Sequence, residues 1–83
     1  MITAAQIRAA RALLRWSSQE LSKKSGLSLP TIQRMESAEG APSSHKKNVE
    51  AVQNTLAEQG IIFIEGKKEE LIGVALLRNH KDN

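Results

Sequence analysis

The sequence predicts a mainly α fold, with four short helices over residues 1–60 and a C-terminal β-hairpin over 61–78. Two observations carry this. Helix-start signals recur along the first part of the chain, each followed by apolar residues at helical spacing. After Gly60 the period changes, and Ile61-Ile62-Phe63-Ile64 is the β-branched and aromatic run typical of a strand. Residues 79–83 are expected to form a disordered tail.

The first helix starts at Thr3. Thr3 and Gln6 have the spacing of a capping box, and Ile2 and Ile7 that of its hydrophobic staple. The inner stripe is Ile7, Ala10 and Leu14, with Arg11 on its margin and Arg8 facing outward. Arg15 follows.

The stretch from Trp16 to Glu36, WSSQELSKKSGLSLPTIQRME, reads as two helices joined by a tight turn. Ser17 and Glu20 form a second capping box, with Trp16 and Leu21 as its staple. Gly26 can take the left-handed conformation of a sharp helix exit. Ser28 caps the next helix, Leu27 and Ile32 stand at staple spacing, and Pro30 falls in the first turn. At 100° per residue, Ser28, Thr31, Ile32, Met35 and Glu36 share one side; Leu29, Pro30, Gln33, Arg34 and Ser37 share the other. Such a pair fits the helix-turn-helix, whose second helix enters the DNA major groove. It fits equally an αα-corner with Gln33 and Arg34 merely solvated.

The pattern L-S-K-K-S-G-L-S-x-x-T-I-x-R-M-E resembles the Cro/phage-repressor type of helix-turn-helix, the xenobiotic-response-element regulators. Leu21, Ser22, Gly26, Leu27, Ser28, Ile32, Met35 and Glu36 match, and the resemblance spans roughly residues 3–58. It implies a lambda-repressor-like four-helix domain, sequence-specific binding of double-stranded DNA, and pairing of Arg11 with Glu36. Some small bacterial members also carry a strand pair after the fourth helix. The chain departs from the pattern in places. Ser18 replaces a frequent Gln and Ser22 the usual Ala, Arg15 stands where relatives have Gly, and Leu29 and Pro30 replace polar base readers.

The resemblance yields a set of contacts. Candidate base contacts are Ser28, Leu29, Pro30, Gln33 and Arg34. Arg34 suits a bidentate pair to guanine, Gln33 to adenine, and Leu29 and Pro30 only apolar contact such as a thymine methyl. Candidate phosphate contacts are Arg15, Ser17, Ser18, Ser37, Lys46 and Lys47.

Residues 38–44 read as a loop by their Gly, Pro and Ser content. The fourth helix starts between Ser44 and Asn48, and Lys46 and Lys47 in its first turn oppose the helix dipole. Val49, Val52 and Leu56 are its apolar stripe, and Gln59-Gly60 ends it. With Ile7, Leu14, Trp16, Leu21, Ile32 and Met35 they make one core.

In the hairpin, residues 66–70 are the turn, Leu71 to Leu77 the second run, and Gly73 a candidate bulge. A helix over 68–78 also fits the apolar spacing; the central Gly and the neighbouring strand favour a strand. Ile61, Phe63 and Val74 point one way and Ile62 and Ile64 the other, so both faces are apolar. The helices can cover only one, which marks the hairpin as the dimerisation element.

Composition narrows the function. Residues 1–47 hold eight Lys/Arg against three Glu, a net of +5; residues 48–83 hold four against six Asp/Glu, a net of −2. The basic half is the helix-turn-helix half, as a phosphate-binding surface requires. Without Cys there is neither a disulfide nor a Cys-based zinc site. One Trp, one Phe and no Tyr argue against base stacking on aromatic platforms. The N-terminus lacks the apolar core of a signal peptide and the apolar runs are too short to span a bilayer, so a cytoplasmic protein is expected. His45 and His80 have no acid at triad or ligand spacing, and Glu69-Glu70 reads as hairpin turn. Neither an enzyme nor a cofactor is expected. The expectation is a regulator, most simply a repressor, binding a palindromic operator as a homodimer. An antitoxin with a toxin partner would look much the same over the helix-turn-helix.

Overall fold

The caps set where each helix starts. The computed structural model describes residues 2–65 and 71–78, arranged as α1 (Ala4–Leu14), α2 (Ser18–Ser25), α3 (Leu29–Ser37), α4 (Lys46–Glu58), β1 (Ile61–Glu65) and β2 (Ile72–Leu76). At α1 the capping box is complete: Gln6 N–H donates to Thr3 Oγ1 at 3.1 Å, and Thr3 N–H to Gln6 Oε1 at 2.8 Å. At α2 only half of it forms. Ser17 Oγ accepts from Glu20 N–H at 3.0 Å, while the Glu20 carboxylate lies 3.8 Å from Lys24 Nζ, one turn on. His45 is the N-cap of α4, inside the expected window, and makes no side-chain cap bond.

The core gathers one stripe from each helix. Ile7 and Ala10 of α1, Leu21 of α2, Ile32 and Met35 of α3, and Val49, Val52 and Leu56 of α4 are buried together. Ile2 and Ile61 join them from the chain ahead of α1 and from β1. Leu14 and Trp16, expected in this core, only pack against its margin, because they lie where the chain leaves α1 for α2.

Residues 72–76 are a strand, which removes the helical alternative for 68–78. β1 and β2 pair antiparallel in the register Ile61↔Leu76, Ile62↔Ala75, Phe63↔Val74, Ile64↔Gly73 and Glu65↔Ile72. Leu77 N–H donates to Gly60 O at 2.8 Å and extends the ladder by one rung. The expected bulge at Gly73 is absent. Gly73 sits opposite Ile64 in an unbroken register, with no extra residue to accommodate. Phe63, Val74 and Leu76 pack against the helical core, whereas Ile62 and Ala75 stay exposed. The expected turn at 66–70, the tail at 79–83 and His80 lie outside the described residues. Among the described residues, no helix is long and apolar enough to cross a membrane.

Arg15 ends α1 in the left-handed conformation, φ 60° and ψ 36°, where the family pattern has Gly. An L-residue there carries about 1 kcal/mol of strain. Gly removes that strain but adds chain entropy to the unfolded state, worth roughly 0.5–1 kcal/mol. Arg15→Gly is therefore expected to leave the thermal midpoint unchanged or raised by a few degrees. A clear fall in calorimetry would show that the Arg15 side chain contributes more than its backbone costs.

Candidate nucleic-acid interface

Two serines and a glycine build the turn between α2 and α3. Gly26 takes φ 80° and its N–H donates to Ser22 O at 3.0 Å. Ser22 Oγ donates across the turn to Leu27 O at 2.5 Å. Ser25 Oγ accepts from Leu27 N–H at 3.3 Å and donates to Ser22 O at 3.4 Å. The sequence marks Ser22 only as a small residue in place of Ala. Its bond to the Leu27 carbonyl gives that departure a structural purpose, since an Ala there has no hydroxyl to close the turn.

Ser28 then opens α3. Its Oγ accepts from Thr31 N–H at 3.3 Å and shares a 2.9 Å hydrogen bond with Thr31 Oγ1. Ile32 and Met35 are fully buried and Glu36 nearly so, which fixes the rotation of the helix about its axis. Pro30, Gln33, Arg34 and Ser37 are left on the exposed side, as the helical spacing indicated. Leu29, assigned to that side as well, is half-buried, because it is the first residue of α3, at the turn that folds back on α2. Arg34 Nη2 reaches back to Thr31 Oγ1 at 3.5 Å, and Ser37 Oγ donates to Arg34 O at 3.1 Å. The exposed face of α3 thus presents one guanidinium and one carboxamide side by side.

Two arginines of α1 hold the far end of this helix. Arg11 grips the Glu36 carboxylate with Nε to Oε2 at 2.6 Å and Nη2 to Oε1 at 3.0 Å. Its third nitrogen, Nη1, donates to Trp16 O at 2.9 Å. The bidentate fork is the strong geometry for an Arg–carboxylate pair. Arg8 is exposed, as expected, and its Nη1 also donates to the Glu36 backbone carbonyl. A long side chain can be exposed along its stem and still place its head on a neighbouring helix. Cations near the C-terminal carbonyls of α3 also complement its dipole. Arg11 thus commits all three of its nitrogens to structure, whereas Arg8 engages Nη1 and stays exposed.

The phosphate candidates lie on four elements, with Ser37 the last residue of α3. Ser17 is the N-cap of α2 and Ser18 its first residue, beside the unpaired N–H groups of that helix start. Lys46 and Lys47 are exposed in the first turn of α4, whose dipole they oppose. Arg15 is exposed and lines a cleft with Leu13, Leu14, Leu76 and Arg78, between the end of α1 and the end of β2. Arg78 stands beside it, at the end of the expected hairpin span, where nothing in its local sequence marks it as part of this surface. Lys24 Nζ lies 5.6 Å from the centre of the Trp16 ring, a cation–π contact at the start of the motif.

A family model for the helix-turn-helix matches residues 7–46, from the middle of α1 to the start of α4. No curated protein matches the chain. The match brackets α2, the Gly26 turn and α3, the segment whose caps, burial and exposed face have the helix-turn-helix geometry. Over these residues the chain is similar to the helix-turn-helix family, which supports the resemblance of its motif to the DNA-binding regulators of the Cro/phage-repressor type.

Proposed function

We propose that the chain is a repressor that binds a palindromic DNA operator as a two-fold homodimer, reading bases with α3. The observation that supports this best is the contrast between the two faces of α3. One is locked by Ile32, Met35 and the Arg11–Glu36 pair; the other holds Gln33 and Arg34 exposed, with Arg34 steadied only by its long contact to Thr31 Oγ1 among the described residues. Side chains held on a rigid helix are what base readout requires. Arg34 is the proposed guanine contact and Gln33 the proposed adenine contact, with Ser28, Leu29 and Pro30 at the entering end of the helix. Arg15, Ser17, Ser18, Ser37, Lys46 and Lys47 set the register on phosphates. The hairpin holds the dimer, and the two α3 helices then meet successive major grooves about 34–36 Å apart. Such a protein needs no cofactor, and it works in the cytoplasm, where the DNA is.

Selection of bound sequences from a random duplex pool tests the reading. A recovered motif with two-fold symmetry is the expected result; no enrichment over the starting pool would sink it. Two variants separate base contact from phosphate contact. Arg34→Ala is expected to cost about 1–3 kcal/mol on operator DNA and to relax the preference at one base position. Lys46→Ala is expected to weaken operator and random DNA alike and to reduce the salt slope by about 1. Titrations at several salt concentrations distinguish them, and an equal loss on both DNAs for both variants counts against these roles.

A further inference from the structure

On the hairpin face that carries Ile62 and Ile64, large and small side chains are sorted by strand. The register sets Ile62 opposite Ala75 and Ile64 opposite Gly73, so β1 is bulky where β2 is nearly bare. By strand alternation Leu71 and Leu77, just outside β2, fall on this same face. They are 60% and 52% exposed, and Ile62 is 49% exposed. A Cβ added at Gly73 would meet nothing within 4 Å. The face is therefore a two-residue ridge beside a two-residue notch, with a leucine at each end of the notch. None of these six residues is charged.

We propose that a second copy of this chain packs on this face, each copy setting its Ile62–Ile64 ridge into the partner's Gly73–Ala75 notch. The inference rests on the two-fold dimer proposed above and names its contact. Two-fold contacts are isologous, so a patch must be complementary to itself. A ridge and a notch of equal length, side by side on one face, satisfy that requirement under a two-fold rotation. Stacked sheets lie about 10 Å apart and fill that space by setting large residues against small ones. The area is also of the right order. Ile62, Leu71 and Leu77, with the exposed parts of Ile64 and Ala75, offer roughly 350 Å² of apolar surface per copy, enough for the apolar centre of an interface that buries about 800 Å² per partner. A different protein would have to supply both ridge and notch at this spacing, whereas the chain already carries both.

Gly73→Leu is the sharpest test, because the position has open space and no positive φ, so the monomer can accept the side chain. Sedimentation equilibrium is expected to find the full-length wild-type chain dimeric. Gly73→Leu and Ile62→Lys should each weaken the dimer at least tenfold while circular dichroism stays native. Ile72→Lys, exposed but on the other side of the strand, should leave it intact. A wild-type dimer untouched by Gly73→Leu and Ile62→Lys overturns the proposal, as does a wild-type chain that stays monomeric or pairs only with another protein. Binding to a single operator half-site, measured on the same variants, keeps the two readings apart: its retention in Gly73→Leu is expected, and its absence in the wild type is a failure of the DNA reading alone.

Discussion

Truncating Glu36 to Ala is expected to destabilise the protein by about 3 kcal/mol, at the lower end of the usual range for breaking a buried ion pair. The lower end applies because the Arg11 side chain keeps 22% of its surface in solvent and the Glu36 side chain 9%. Without the carboxylate, Arg11 retains only its bond to Trp16 O, which water can partly supplement. The converse change, Arg11→Met, strands the more deeply buried partner and is expected to cost more. For a domain of this size, about 3 kcal/mol corresponds to a fall of roughly 12–24 °C in Tm. The double variant Arg11→Met/Glu36→Leu should recover much of the loss, because an apolar pair of similar volume avoids both desolvation costs. Calorimetry on the wild type, Arg11→Met, Glu36→Leu and the double variant closes the cycle. Two single variants each within 1 kcal/mol of wild type would show the bidentate pair to be a solvated contact. Half-site affinity should follow stability here, since Glu36 anchors α3 and touches no base in the proposed mode.

What was legible in the sequence depended on how far apart the partners stand. Thr3 with Gln6, Ser17 with Glu20, and Ser28 with the turn after it lie within one helical turn, so spacing alone shows them. The same holds for the inner stripe of α3, whose buried members Ile32, Met35 and Glu36 follow from the helical period. The Arg11–Glu36 pair lies 25 residues apart and was legible only through the family pattern. Arg8 carried no comparable signal. Its position on the helical wheel is outward, and the reach of its side chain to the Glu36 carbonyl depends on how α1 crosses α3. The Ser22 bond was hidden for another reason: a serine where Ala is usual reads as tolerated, and only the Leu27 carbonyl within reach shows otherwise. For the hairpin, strand identity was readable from Ile61 to Ile64. Its flat register at Gly73 was not, because a glycine in a strand suits a bulge or a notch equally well.

The residue most underestimated by its local pattern is Gln6, and replacing it is expected to loosen the hairpin from the helices. Its capping role with Thr3 explains only half of its side chain. The amide nitrogen donates to Ile64 O at 3.1 Å and Gly73 O at 2.9 Å, residues 58 and 67 positions away and opposite each other in the register. One carboxamide, 2% exposed, thus clamps the start of α1 to both strands at once. Gln6→Met keeps the length but leaves Thr3 N–H and two carbonyls short of a partner, at about 1–3 kcal/mol for each group that water cannot reach. A total loss of about 2–4 kcal/mol is expected, because the carbonyls retain their partners across the ladder. Gln6→Glu should be worse at neutral pH, since a buried carboxylate would face two acceptors. Burial and those carbonyls favour the protonated form, raising the folded-state pKa of the introduced carboxyl above its unfolded value. Its destabilisation relative to wild type should therefore be least below about pH 4 and grow as pH rises. Hydrogen exchange gives a local readout: in Gln6→Met the amides of β1 and β2 should exchange faster while those of α2 and α3 keep the protection left by the overall stability. Uniform acceleration across all elements would mean that Gln6 supports the whole core and does not selectively clamp the hairpin.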